Sequence, residues 1–164
     1  MKILFKGERN SGKSSRIYEI LKNKNCGGIV CLPVFENGIK IGSDAVDMMS
    51  GRRVIFTRRK EIADFEGIDT ENYRISNDGI NFCIIAIEKS IGSCKWTIID
   101  EFGRLEKEKK GLYDVIRKGI EEDKNMIIIL RGSMERIFLK MFPYKFESID
   151  IKDCWKIEDY IKTD

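Results

Sequence analysis

The sequence contains no histidine, which removes the side chain most often used to move protons near neutral pH and a common zinc ligand. Any proton transfer must fall to a carboxylate, lysine, tyrosine, cysteine or water. Cysteine occurs five times, at Cys26, Cys31, Cys83, Cys94 and Cys154, but never as a C-x-x-C pair. An odd count without metal-ligand spacing reads as reduced thiols in a cytoplasmic protein. Only two prolines are present, and no repeat or low-complexity tract breaks the chain, so one domain over residues 1–164 is expected. No apolar run is long enough to cross a bilayer, and the opening MKILFKGERN is too short in apolar residues for a signal peptide. No membrane partner is therefore expected. Charge is plentiful but balanced, with 30 Lys and Arg against 27 Asp and Glu for a net of +3. That lacks the basic excess of a dedicated nucleic-acid binder.

What is present is a phosphate-binding pattern. Ile3, Leu4 and Phe5 form a short apolar run, and Gly7 to Ser14 spell G-x-x-x-x-G-K-S before helical spacing resumes at Arg16. A strand, a glycine-started loop and a helix are the context this motif requires. Gly7 is expected to turn the chain off the strand with a positive φ. The backbone N–H groups of Gly7, Glu8, Arg9, Asn10, Ser11, Gly12, Lys13, Ser14 and Ser15 would then face a polyphosphate, helped by the helix dipole. Lys13 would reach the β- and γ-phosphates, and the Ser14 hydroxyl would ligate Mg²⁺.

Along the chain, helical spacing predicts a first helix from Lys13 to about Asn23, with Ile17, Ile20 and Leu21 on one face. Ile29 to Pro33 reads as a strand. Asn37-Gly38 is a strong hairpin signal, and a further turn at Ser50-Gly51 precedes Val54-Ile55-Phe56. Residues 29–58 are thus expected to form an antiparallel β insertion. Lys60 to Thr70 reads as a loop, followed by a short strand at Tyr73 to Ile75. Ile80, Ile84, Ile87 and Ile91 mark a helix, as do Leu112, Val115, Ile116 and Ile120 later. Met126 to Leu130 is a fully apolar strand, after which Ser133 is expected to cap a helix carrying Met134, Ile137, Phe138 and Met141. A strand at Lys145 to Ile149 and a helix from Asp153 complete the reading. The alternation predicts a three-layer α/β/α fold with a mostly parallel central sheet.

The second chemical landmark is KWTIIDEFGRLE, residues 95–106. An apolar strand delivers Asp100 at its C-terminal end, immediately followed by Glu101. Beside a phosphate loop, that is where a phosphate enzyme holds Mg²⁺. Asp100 would bind the metal, directly or through water, and Glu101 would polarise the attacking water. Arg131 follows the strand at Met126–Leu130 and reads either as an arginine finger for the γ-phosphate or as a surface arginine that ends a strand. Arg104 and Glu106 read as a turn near the site. Arg52, Arg53, Arg58, Arg59 and Lys60 read as a solvated charged rim, with acids such as Asp44 and Asp47 close by.

Over nearly its whole length the chain resembles the small THEP-type nucleoside-triphosphatases, a P-loop family of the RecA-like and kinase-like group. The segments that carry the likeness are the phosphate loop, VFENGIKIGSDAVDMMSG, NYRIS, IIDEFGRLE and the strand ending at Arg131. Asp100-Glu101-x-Gly103-x-x-Glu106 is the most specific of them. The family loop usually has Pro-Gly where this chain has Arg9-Asn10, and Ser43 replaces a usual phenylalanine. The resemblance implies a Mg²⁺-dependent enzyme that hydrolyses ATP, GTP or another nucleoside triphosphate to the diphosphate and phosphate, with broad base preference. It assigns Gly7, Gly12, Lys13 and Ser14 to phosphate and Mg²⁺, and Asp100 and Glu101 to metal and water. Two other readings stay open: a nucleotide or small-molecule kinase with its acceptor near residues 35–60, and a nucleotide-switched binding module, with RNA as a candidate partner. Nothing in the pattern selects an oligomeric state.

Overall fold

Continuous apolar runs become the parallel strands at the centre of the molecule. In the computed structural model, which describes residues 1–162, Lys2–Gly7 (β1), Cys26–Glu36 (β2), Trp96–Phe102 (β7), Asn125–Arg131 (β8) and Glu147–Asp150 (β9) lie side by side in the order β2-β7-β8-β1-β9. All four of these pairings are parallel. Met126 to Leu130 is buried throughout, as a strand covered on both faces should be. At about 1.5–3 kcal/mol per fully buried large apolar side chain, such runs dominate the folding free energy.

The helices Lys13–Leu21 (α1), Asn77–Ser93 (α2), Arg104–Lys107 (α3), Tyr113–Glu121 (α4), Glu135–Met141 (α5) and Trp155–Lys162 (α6) divide between the two faces. Ile17 and Leu21 of α1 and Ile157 of α6 pack with Ile3, Phe5, Trp96, Ile98 and Ile129 on one face. Residues of α2, α4 and α5 pack with Leu4, Ile99, Phe102, Ile128 and Leu130 on the other. This is the expected three-layer arrangement.

The antiparallel part is larger than an insertion over 29–58. β2 pairs in parallel with β7 and also antiparallel with Ile39–Asp47 (β3), so its residues belong to both halves of one sheet. Arg53–Arg59 (β4), Tyr73–Ser76 (β6) and Gly67–Asp69 (β5) extend that wing in the order β3-β4-β6-β5. β5 falls inside the segment expected to be a loop. The predicted hairpin is present, with Asn37 and Gly38 at φ 49° and 76°, as a two-residue turn with both central φ values positive requires.

Two local expectations are corrected. Ser133 caps nothing: Gly132–Met134 forms a 3₁₀ turn that leads into α5 without a side-chain cap. The C-terminal helix begins at Trp155, after a separate 3₁₀ turn over Ile151–Asp153 capped by the Asp150 carboxylate.

Candidate functional site

The C-terminal ends of β1, β7 and β8 converge, as ligand-binding strand ends do in open α/β sheets. Gly7 lies opposite Arg131 in the β1–β8 register, and Asp100 opposite Ile129 in β7–β8. The phosphate loop therefore starts beside Arg131, with the Asp100-Glu101 pair one strand further over.

The loop achieves its shape differently from the expectation for Gly7. Gly7 ends β1 without a positive φ, and its value is steric: a Cβ there would stand 2.9 Å from Ser11 Oγ and 3.0 Å from Ile151 Cγ2. The left-handed positions are Asn10, at φ 57°, and Gly12, at φ 83° and ψ 17° just before α1. Asparagine tolerates that region better than most residues, so Asn10 in place of a glycine keeps the loop geometry. Glu8 organises the interior, its carbonyl accepting from Ser11 N–H (3.3 Å), Ser11 Oγ (2.8 Å) and Lys13 Nζ (2.7 Å). Burial holds the Lys13 ammonium below the ordinary lysine range. Arg131 adds to that lowering, while Asp100, Glu101 and Glu8 oppose it. Lys13, Asp100, Glu101 and Arg131 are thus close enough to act on one another's charge.

The end of β7 is the most unusual backbone in the site. Along the strand Trp96 and Ile98 face α1, whereas Ile99 faces α2. Alternation puts Asp100 on the α1 side, near enough to the Ser14 hydroxyl for it to favour the charged carboxylate, which accepts from Cys31 N–H at 2.8 Å. Glu101 is then the extra residue of a β-bulge, at φ 91°. The bulge resets the phase, so Phe102 packs inward against Phe138 at 4.9 Å while Glu101 is exposed. Without it, strict alternation would turn Glu101 into the apolar face and Phe102 out of it. Asp100 is buried. Burial, and then the neighbouring Glu101 carboxylate, push its pKa up to about 7, against the pull of Ser14, Cys31 N–H and Lys13.

Glu106, read from sequence as part of a turn, is a buried staple. Its Oε2 accepts from Gly103 N–H (2.9 Å) and its Oε1 from Leu112 N–H (3.0 Å). It fixes the turn that leaves the bulge. Burial pushes its pKa up even so. The i, i+3 spacing from Gly103 to Glu106, half of a capping box, is the signal that could have found it.

The donor chemistry fits a hard divalent cation. Ser14 and Asp100 offer oxygens, and the Asp100-Glu101 pair concentrates negative charge that a cation would offset. Among the described residues no three His, Cys, Asp or Glu side chains gather around one point. No described helix is long and apolar enough to cross a membrane.

Other proteins share this fold. Two solved structures match the fold along its length: THEP1 from the hyperthermophile Aquifex aeolicus, with a TM-score of 0.73, 18% identity and coverage of 98% of this chain and 96% of that one, and a human cancer-related nucleoside triphosphatase, with a TM-score of 0.68, 15% identity and coverage of 99% and 95%. In sequence, the nucleoside-triphosphatase THEP1 of Korarchaeum cryptofilum is 27% identical over 169 residues, covering 86% of this chain and 85% of its own. The protein of the same name from Methanothermobacter thermautotrophicus is 28% identical over 147 residues, covering 83% and 77%. The family model described as NTPase matches residues 2–153, from the first strand past the last. With the phosphate loop, the bulged acidic strand end and the sheet order all inside that span, the chain belongs to the NTPase family.

Proposed function

We propose that the protein hydrolyses a nucleoside triphosphate, ATP, GTP or another, to the diphosphate and phosphate with Mg²⁺ and little selection among bases. The observation that carries this reading is the β7 bulge. Asp100 stays buried on the α1 side while the bulge turns Glu101 outward, so that two adjacent carboxylates point to different surroundings. The loop amides and Lys13 receive the β- and γ-phosphates. Ser14 and Asp100 would hold the Mg²⁺, which neutralises phosphate charge when bound. Glu101 orients and polarises a water on the side of the γ-phosphate away from the leaving group. Arg131, beside Gly7 at the end of β8, offers its guanidinium to charge developing on the transferred group. The one-domain reading and a cytoplasmic location accompany this proposal, supported by the even spread of the core and by the unpaired cysteines.

The test separates binding from chemistry. Glu101→Gln keeps side-chain size and hydrogen bonding but loses the carboxylate. It should leave Mg²⁺–triphosphate affinity within a few-fold, while single-turnover hydrolysis falls by roughly 10² or more. Asp100→Asn should weaken metal-dependent binding as well. Hydrolysis by Glu101→Gln at the wild-type rate would move the water-activating role elsewhere. The wild type, incubated with a panel of triphosphates with and without hydroxyl acceptors, should release free phosphate in every case. Transfer to an acceptor would instead support the kinase reading.

A further inference from the structure

The cations of the antiparallel wing fall into two groups. Arg53 and Arg58 both pair with Asp44, at 2.8 and 2.7 Å, and Arg74 pairs with Asp69 at 2.7 Å. Arg9, Lys40 and Arg59 form no ion pair with any described residue, yet the fold brings them together. Lys40, on the hairpin arm, donates its Nζ to Asn10 Oδ1 of the phosphate loop at 3.3 Å. Arg59 donates its Nε to the Lys40 carbonyl at 3.0 Å, and among the described residues its outer guanidinium nitrogens have no acceptor. Arg9 and Arg59 then line one open cleft of about 240 Å³, together with Glu61, Asn72 and Tyr73. Glu61 is the one acid in that lining and pairs with none of the three cations, so positive charge is in excess there and like charges repel one another unless an anion sits between them.

We propose that this cleft is a second ligand subsite, which takes the phosphate end of a small phosphomonoester carrying hydroxyl groups. The proposal rests on the triphosphatase reading, because the cleft shares Arg9 with the loop that would hold the nucleotide. Arg9 and Arg59 supply forked donors that match phosphate oxygens, and Lys40 adds charge at the loop side. Glu61 and Asn72 give the acceptors that sugar hydroxyls need, and the Tyr73 ring gives an apolar wall. The volume lies below the roughly 300–1,000 Å³ of a whole-ligand pocket. It therefore suits a phosphate and a pentose, with anything larger projecting through the open side.

The test is calorimetric titration of the full chain saturated with a non-hydrolysable triphosphate analogue. The titrants are ribose 5-phosphate, a nucleoside 5′-monophosphate and inorganic phosphate, each in a separate run. The expected result is one further equivalent of at least one phosphomonoester, weakened roughly tenfold or more by Arg59→Ala and partly restored by Arg59→Lys. The surface control Lys89→Ala should bind like the wild type. Free phosphate binding as tightly as both esters would overturn the hydroxyl-bearing part of the proposal. Absence of any ester binding would overturn the subsite. So would an Arg59→Ala variant that loses the analogue as severely as the ester, because the cations would then belong to the triphosphate site. Failure of the analogue to bind wild type would instead count against the nucleotide reading. The same titrations on unloaded protein would then judge the subsite alone.

Discussion

Replacing Glu101 by glycine separates the two things that residue does. Its carboxylate is assigned to the attacking water, and its backbone occupies φ 91° at the bulge of β7. A non-glycine residue held in a sparsely populated region of this kind costs about 1–3 kcal/mol. Glycine relieves the strain but raises the entropy of the unfolded chain, which takes back about 0.4–1 kcal/mol. Losing the Glu101 charge also removes one of the two causes that raise the pKa of Asp100. Glu101→Gly should therefore be more stable than wild type by about 1 kcal/mol. For a chain of this size that is a Tm higher by roughly 2–4 °C. Its turnover should fall by roughly 10² or more. Glu101→Ala is the control, because it removes the same carboxylate and keeps a Cβ in the strained conformation. The assay is urea unfolding of all three proteins beside single-turnover hydrolysis. If Glu101→Gly is no more stable than Glu101→Ala, the bulge stores no strain and the reasoning fails.

Three further outcomes follow from the same geometry. Lys13→Ala should abolish most hydrolysis while unfolding at a urea midpoint close to that of wild type, because Lys13 is bonded to a loop carbonyl and not packed into the core; unchanged phosphate release would refute the loop assignment. Excess chelator should stop turnover, and Mg²⁺ should restore it, since Ser14 and Asp100 are hard oxygen donors; full activity in chelator would remove both metal roles. Burial raises the Glu106 pKa above its ordinary 4.5, and a carboxyl raised in the folded state favours folding below the unfolded value and loses that contribution as pH rises through the folded value. Against Glu106→Gln, wild type should therefore lose relative stability from about pH 4 upward and level off above the shifted pKa, as urea midpoints across pH will show. A difference independent of pH would mean that Glu106 titrates as it does in the unfolded chain.

The parallel strands were legible because Ile3-Leu4-Phe5 and Met126 to Leu130 are apolar without alternation, a pattern that leaves few alternatives. The Asn37-Gly38 turn was legible from its φ requirement. β5 was not, because three residues of an edge strand are defined by the partner β6 rather than by their own sequence. The phosphate loop was found by its spacing, but its left-handed positions fell at Asn10 and Gly12 rather than at Gly7. Asp100 and Glu101 were identified by type and place. The bulge that separates them was invisible, because it depends on the phase of β7 between two packed faces. Glu106 was legible as part of a turn near the site, but not its burial, because its neighbours in sequence are charged and only the turn that folds over it supplies its two backbone donors. Arg9, Lys40, Arg59 and Tyr73 share no local signal, and only the wing's folding back to the loop brings them into one place.

The segment from Asp100 to Glu106 holds a buried carboxyl with a raised pKa, a left-handed glutamate and a second buried carboxyl within seven consecutive residues. Each is unfavourable taken alone: burial disfavours a carboxylate, and a positive φ disfavours a residue with a Cβ. None of them is needed to build the sheet, since β7 is already paired on both edges by Trp96 to Ile99. Local departures from folding rules that the fold does not require are expected where function requires them. The surrounding layers make the departures tolerable, with Phe102 locked against Phe138 and Phe142 immediately beyond the bulge. That lock explains why the strain falls on Glu101. Asp100 is fixed by Ser14 and Cys31 on one side and Phe102 by its aromatic cluster on the other, so the residue between them absorbs the change of phase and points its carboxylate out toward solvent.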